Sequence, residues 1–114
     1  MLNSGDVVQL DLGLPSGREA GFWHPAIVVT AQRILDAGPS VVHVVPLTPR
    51  IRRFGSEVRI DPDTSNGLNQ PSAAQCQHLR AVSTGRIQQV RGNVGVQALT
   101  QVREVISVIL DLRR

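Results

Sequence analysis

The sequence predicts a mainly β fold with one helix, of the α+β class. A small antiparallel sheet, coiled into a barrel or sandwich, carries an amphipathic helix at its C-terminal end. Three observations predict this. Five or six short β-rich runs follow one another, separated by turns rich in Gly, Pro and Asn. No segment between them is long enough to be the crossover helix that a parallel pair requires. From about Val96 the apolar spacing changes from two to three and four, with Leu99, Val102, Ile106, Ile109 and Leu110 on one stripe. At 114 residues, with no repeat, linker or low-complexity tract, the chain reads as a single domain over 1–114.

Each element has its own signal. GDVVQLDL opens with a Gly-Asp turn and alternates, with Val8, Leu10 and Leu12 on one face and Val7, Gln9 and Asp11 on the other. GLPSGREAGFWH is a polar loop, and PAIVVT a β-branched strand buried on both faces. AQRILDAGPS holds barely two helical turns before Gly38-Pro39 ends it. SVVHVVPLT is a second apolar strand, in which Pro46 predicts an edge or a bulge. The basic loop PRIRRFG and the alternating strand SEVRIDP follow. DPDTSNGLNQPS is the densest turn, with Asn66-Gly67 suited to positive φ. SAAQCQHLRAVS reads as one strand, and TGRIQQVRGNVG as a turn with one more brief strand.

Composition narrows the function. All twelve cationic side chains are arginines, clustered most densely in PRIRRFGSEVR, and the net charge is +3. Arginine presents a rigid fork of donors that suits phosphate, so the surface can attract a polyanion. The core must be aliphatic, since aromatic residues are only 3%. The one cysteine, Cys76, excludes an internal disulfide and reads as buried packing rather than a nucleophile. The N-terminus lacks a signal-peptide layout and no apolar run is long enough to span a bilayer, which predicts a soluble, cytoplasmic protein. No P-loop, GxGxxG, CxxC pair, HExxH or GxSxG is present, so no cofactor, metal site or serine triad is expected. His24, His43 and His78 are scattered singly, and His43, flanked by valines, reads as a hydrogen-bonded sheet residue.

Arginines, hydroxyls and histidines are what a metal-free ribonuclease needs. A base takes the proton of the RNA 2′-hydroxyl, cations stabilise the phosphorane, and an acid protonates the leaving 5′-oxygen. Arg18, Glu19 and His24 in the first loop, and Thr48 with Arg50, Arg52 and Arg53 in a later one, are the candidates. A binding module can display the same residues.

Four stretches, in order, resemble the MazF/PemK family of toxin endoribonucleases, which includes Kid. GDVVQLDL with GREAGFWHPAIVVT is similar to the family's opening strand and its G-x-E-x-x-x-R-P-x-L-V-V. VVPLT resembles its threonine-ended strand. GLNQPSAAQCQHLRAVSTGRI resembles the segment with a D-Q pair and R-L or R-I, and RGNVGVQALTQVREVISVILDL its terminal helix. The resemblance covers essentially the whole chain. It implies an SH3-like antiparallel barrel, a homodimer, cleavage of single-stranded RNA without metal and inhibition of translation. It also implies a cognate antitoxin whose extended segment blocks the RNA groove.

Site roles carry over residue by residue. Thr48 stands where the family's catalytic threonine does, and Glu19 where some members place a base. His24 replaces the arginine of the family's R-P pair, and an imidazole can act as base or acid as well as contact phosphate. Arg18 is the alternative source of positive charge. Gln77 replaces the aspartate of the D-Q pair and cannot titrate, and His78 replaces its glutamine. Arg50, Arg52, Arg53, Gln77, His78 and Arg80 are the predicted RNA contacts. Two rival readings are a CcdB-like toxin that acts by binding gyrase and a catalytically impaired RNA-binding homologue.

Overall fold

The structure is a computed structural model that describes residues 1–11 and 23–112. Among the described residues seven strands form one antiparallel sheet: β1 (Asp6–Asp11), β2 (Trp23–Val28), β3 (Val41–Thr48), β4 (Glu57–Ile60), β5 (Ser72–Gln75), β6 (Arg80–Ser83) and β7 (Ile87–Asn93). They lie in the order β4-β5-β3-β2-β1-β7, with β6 also paired to β3. A single-turn helix α1 (Gln32–Leu35) follows β2, and α2 (Gly95–Ile109) closes the chain.

The β-branched runs are buried on both faces, which splits the core in two. Odd-numbered residues of the first three strands (Val7, Ile27, Val45, Leu47) pack under α2 with Val58, Ile60, Ala74, Leu99 and Val102. Even-numbered ones (Val8, Leu10, Ala26, Val28, Val42, Val44) pack on the opposite face with Leu35 and Val82. Each buried Val, Leu or Ile side chain contributes about 1.5–3 kcal/mol by leaving water. The alternation in β1 predicts a half-buried strand; with both Val7 and Val8 at 0% exposure it is buried on both sides.

Pro46 is not on an edge or in a bulge, as its sequence context predicts, because β3 is an interior strand that pairs with three others, β2, β5 and β6. The Val29 amide donates to the His43 carbonyl at 3.0 Å, so odd residues of β3 exchange hydrogen bonds with β2. The Pro46 nitrogen therefore faces the other side. There β6 pairs only Val41 to Val44 and β5 only Leu47 and Thr48. Proline sits in the gap between two partners, where no donor is required.

The same partner change corrects the reading of SAAQCQHLRAVS as one strand. Three steps along β3, from Leu47 to Val44, correspond to six along its partners, from Ala74 to Arg80. The three surplus residues form the 3-10 turn Cys76–His78 between β5 and β6. Gln77 and His78 thus lie on a turn, both exposed.

Two further differences concern lengths. The TGRIQQVRGNVG segment is not a brief strand: β7 runs seven residues along β1. On α2, Leu99 and Val102 are buried and Ile106 packs against them, but Ile109 and Leu110 are 43% and 52% exposed. The apolar stripe therefore continues beyond the packed part of the helix. The Asn93 side chain starts that helix, its Oδ1 accepting the Gly95 amide at 2.8 Å.

The Asp61–Leu68 turn is fixed by buried Asn66, whose Nδ2 donates to the Asp61 carbonyl at 2.9 Å while Oδ1 accepts the Leu68 amide at 3.0 Å. Gly67 has φ +69, as the sequence predicts. Gly92 of β7 lets this turn lie flat on the sheet, since a Cβ there collides with the Ser65 carbonyl and the Asn66 backbone.

Candidate active site

The register carries His24 to the end of the sheet. Leu10 pairs with His24 across β1 and β2, and Ala26 pairs with Pro46 across β2 and β3. Even residues of these strands face away from α2. The β2–β3 register ends at the Ala26–Pro46 pair; two residues beyond it on either strand come His24, which lines the cavity described next, and Thr48, which pairs with Ala73 of β5. On β6, Arg80 pairs with Val44 two residues before Val82, which packs in the even-face core.

These placements open one cavity of about 450 Å³, lined by Leu10, His24, Ala26, Pro46, Gln75, His78 and Arg80. Its floor is apolar and continuous with the even-face core, and its rim is made of two imidazoles, a guanidinium and an amide. It sits beside Pro46, where β5 and β6 part. The size and the few convergent polar groups are those of a ligand site.

The predicted residues divide among several places. His24, His78 and Arg80 meet at this cavity. Thr48, half-buried at the last position of β3, uses its Oγ1 to accept the Arg50 amide at 3.2 Å, which leaves its O–H as a donor. Arg50, Arg52 and Arg53 are exposed on the loop after Thr48 and do not line the cavity. Gln77 is exposed on the 3-10 turn, outside the lining. Arg18 and Glu19 lie outside the described residues.

The arginine loop has an anchor that sequence reasoning missed. Glu57 Oε1 accepts the amides of Arg52 and Arg53, each at 3.0 Å, and Arg53 takes φ 61 to present its N–H. The signal was a carboxylate four and five residues after two arginines, which resembles ordinary surface charge. Gln75 was missed as well, because the strand break that turns it toward the cavity is not visible in the sequence.

Cys76 matches its sequence reading. It is 1% exposed, its Sγ stands 3.8 Å from the Ala74 and Val102 carbonyls, and burial pushes the thiol up to about 11. His43 belongs to a different face from His24: its backbone amide donates to Thr30 Oγ1 at 2.8 Å, and its exposed side chain borders a pocket with Val29 and Ile106. Among the described residues no three His, Cys, Asp or Glu side chains are grouped to hold a metal ion.

A larger groove, about 900 Å³, runs between β4 and α2, lined by Val58, Val105, Val108 and Ile109 among others, with Arg59 and Glu104 as its charged residues. No histidine is among the described residues that line it. Among the described residues no helix is long and apolar enough to cross a membrane.

Fold and cavity together define a class: a small antiparallel β protein whose open polar cleft presents imidazoles and a guanidinium. The family model of PemK-like, MazF-like toxins of type II toxin–antitoxin systems matches residues 3–110, and the chain belongs to this family. It is 31% identical over 116 residues to Endoribonuclease MazF9 of Mycobacterium tuberculosis (strain ATCC 25618 / H37Rv), an alignment covering 98% of each chain. Two solved structures share the fold. The Mycobacterium tuberculosis toxin MazF-mt6 superposes with a TM-score of 0.76 at 22% identity, covering 96% of this chain and 99% of that one. An endoribonuclease in complex with its cognate antitoxin from a mycobacterial species gives 0.78 at 18% identity, covering 100% and 99%.

Proposed function

We propose that this toxin is a metal-independent endoribonuclease, a single domain over 1–114 that cuts single-stranded RNA and thereby stops translation and growth. The observation that carries the reading is the cavity where His24, His78 and Arg80 converge, in a chain 31% identical to a named endoribonuclease. The reaction is attack of the 2′-oxygen on the adjacent phosphorus, giving a 2′,3′-cyclic phosphate and a free 5′-hydroxyl. It needs proton transfer at both oxygens and positive charge on the phosphorane, and side chains suffice for all three.

His24 stands at the cavity and can move a proton there. Thr48, at the end of β3, directs its O–H toward a non-bridging phosphate oxygen. Arg18 and Glu19 are kept as candidates for charge and base from the loop before β2. Arg50, Arg52, Arg53 and Gln77 extend the RNA path beyond the cavity, with Arg80 at its edge. The exposed arginine loop suits a flexible, unpaired strand, whose backbone it can track.

Two protein partners are part of the proposal. A homodimer is supported by the exposed apolar residues Val108, Ile109, Leu110 and Leu112 at the end of α2. A cognate antitoxin is supported by family membership and by the fold shared with an antitoxin-bound endoribonuclease.

The test is to incubate the purified chain with RNA pools in EDTA and map the new ends. Fragments ending in 2′,3′-cyclic phosphate are the expected result. Intact RNA at high protein concentration overturns the reading in favour of a toxin that only binds.

A further inference from the structure

We propose that His24 and His78 work as an acid–base pair at the cavity, with Arg80 beside them as the cation that holds the phosphorane. The assignment rests on the ribonuclease reading and deepens it. His78 enters because the three-residue offset of β3's partners forces a 3-10 turn at Cys76–His78. A continuous strand would alternate Gln77 and His78 to opposite faces. The turn instead brings His78 to the lining while burying the preceding Cys76 under α2, which fixes the turn's orientation.

The surroundings of the pair are spare. β1 contributes Leu10 to the cavity, β2 His24 and Ala26, β3 Pro46, β5 Gln75, the 3-10 turn His78 and β6 Arg80. Among the described residues lining it, the titratable or charged groups are therefore His24, His78 and Arg80, and no carboxylate is present to compete as a base. Both imidazoles are exposed at the rim. Two imidazoles and one guanidinium around an apolar floor match the demand of the reaction one for one.

The step balances with these groups alone. The neutral imidazole removes the proton from the 2′-hydroxyl as the O2′–P bond forms, and the guanidinium donates to the non-bridging oxygens. The P–O5′ bond then breaks, and the other, protonated imidazole gives its proton to O5′. The products are a 2′,3′-cyclic phosphate and a 5′-hydroxyl end. The two rings finish with exchanged protonation and return through water.

The experiment uses a short oligoribonucleotide carrying the site mapped in the RNA pool, and the same strand with sulfur in place of the bridging 5′-oxygen. Sulfur leaves without a proton, so it relieves loss of the acid but not of the base. The parent is expected to give a bell-shaped kcat/KM against pH. His24→Ala and His78→Ala are each expected to lose about 10²–10⁴-fold on the oxygen strand and one limb of the bell. The sulfur strand should restore one variant to within roughly tenfold of the parent and leave the other impaired. His78→Gln, which keeps hydrogen bonding but cannot titrate, should be as slow as His78→Ala. Equal response of both variants to sulfur, or activity in His78→Gln, overturns the pairing. Circular dichroism on each exposed-residue variant separates these results from unfolding. A parent that cuts RNA while His78→Ala matches it defeats this assignment alone. A parent that leaves RNA intact defeats the ribonuclease reading as well.

Discussion

Glu57 holds Arg53 in a left-handed backbone conformation: its Oε1 accepts the Arg53 amide at 3.0 Å while Arg53 sits at φ 61. A non-glycine residue in that region is strained, so the carboxylate is compensating for a conformation the loop would otherwise leave. Its other oxygen, Oε2, is buried without a hydrogen-bond partner. The loop that displays three arginines is thus set from below, by one side chain at the start of β4. Glu57→Ala is expected to cost about 1–3 kcal/mol in urea unfolding and to weaken RNA binding with no arginine removed. Unchanged binding would mean the loop keeps its shape unaided.

Thr48 yields the cleanest separation of chemistry from folding. Its hydroxyl accepts one amide, from Arg50 at 3.2 Å, and is otherwise available to phosphate. Thr48→Ala should lower cleavage at least about tenfold while leaving the melting temperature within a few degrees, and Thr48→Ser should recover most of the rate. Equal rates for all three proteins would remove Thr48 from the site.

Phe54 stands 54% exposed directly after Arg52 and Arg53, an aromatic face among guanidinium groups. Unpaired bases stack on such a face, so Phe54→Ala is expected to cost about 1–3 kcal/mol in single-stranded RNA affinity. Replacing Arg50, Arg52 and Arg53 by Gln should flatten the plot of log affinity against log salt by about 0.7 for each phosphate that is no longer neutralised. A slope that does not move places the RNA elsewhere.

Cys76 makes a prediction about alkaline stability. Below pH 9.0 the thiol keeps its proton in both folded and unfolded chains and has no effect. Between 9.0 and about 11 the unfolded chain loses the proton while burial keeps it in the folded one. Folding stability should therefore fall as pH rises through that window, and Cys76→Ala should lack that component. Thiol reagents should label native protein only at the rate at which α2 lifts from the Cys76–His78 turn.

Gly92 tests the packing of the long turn. A methyl group there meets backbone on the neighbouring turn, which has no side chain to swing aside. Gly92→Ala is expected to destabilise the fold by about 1–3 kcal/mol, measured by denaturant unfolding, although Gly92 does not line the cavity.

The fold was legible wherever one residue's environment is set by its near neighbours. Strand positions followed from β-branched alternation, the helix from its spacing, and the Gly67 turn from Asn-Gly chemistry. The errors cluster on β3. That it serves two partners on one side is a property of pairing between distant segments, and local pattern gave no sign of it. From that single relationship came the misreading of Pro46, the missed break at Cys76–His78 and the missed role of Gln75. The candidate site was legible as a set of residue types, with His24, Thr48, His78 and Arg80 all named from the sequence. Its grouping was not legible, because the arginine loop and the cavity are separated in space although Thr48 joins them in the chain.

Pro46 withholds the one donor that could invite a strand to cross the gap between β5 and β6. The opening is consequently a fault line written into the backbone, maintained whatever side chains border it. The polar groups on that rim can be exchanged without re-inventing the aperture. Its chemistry is free to drift while its doorway stays put.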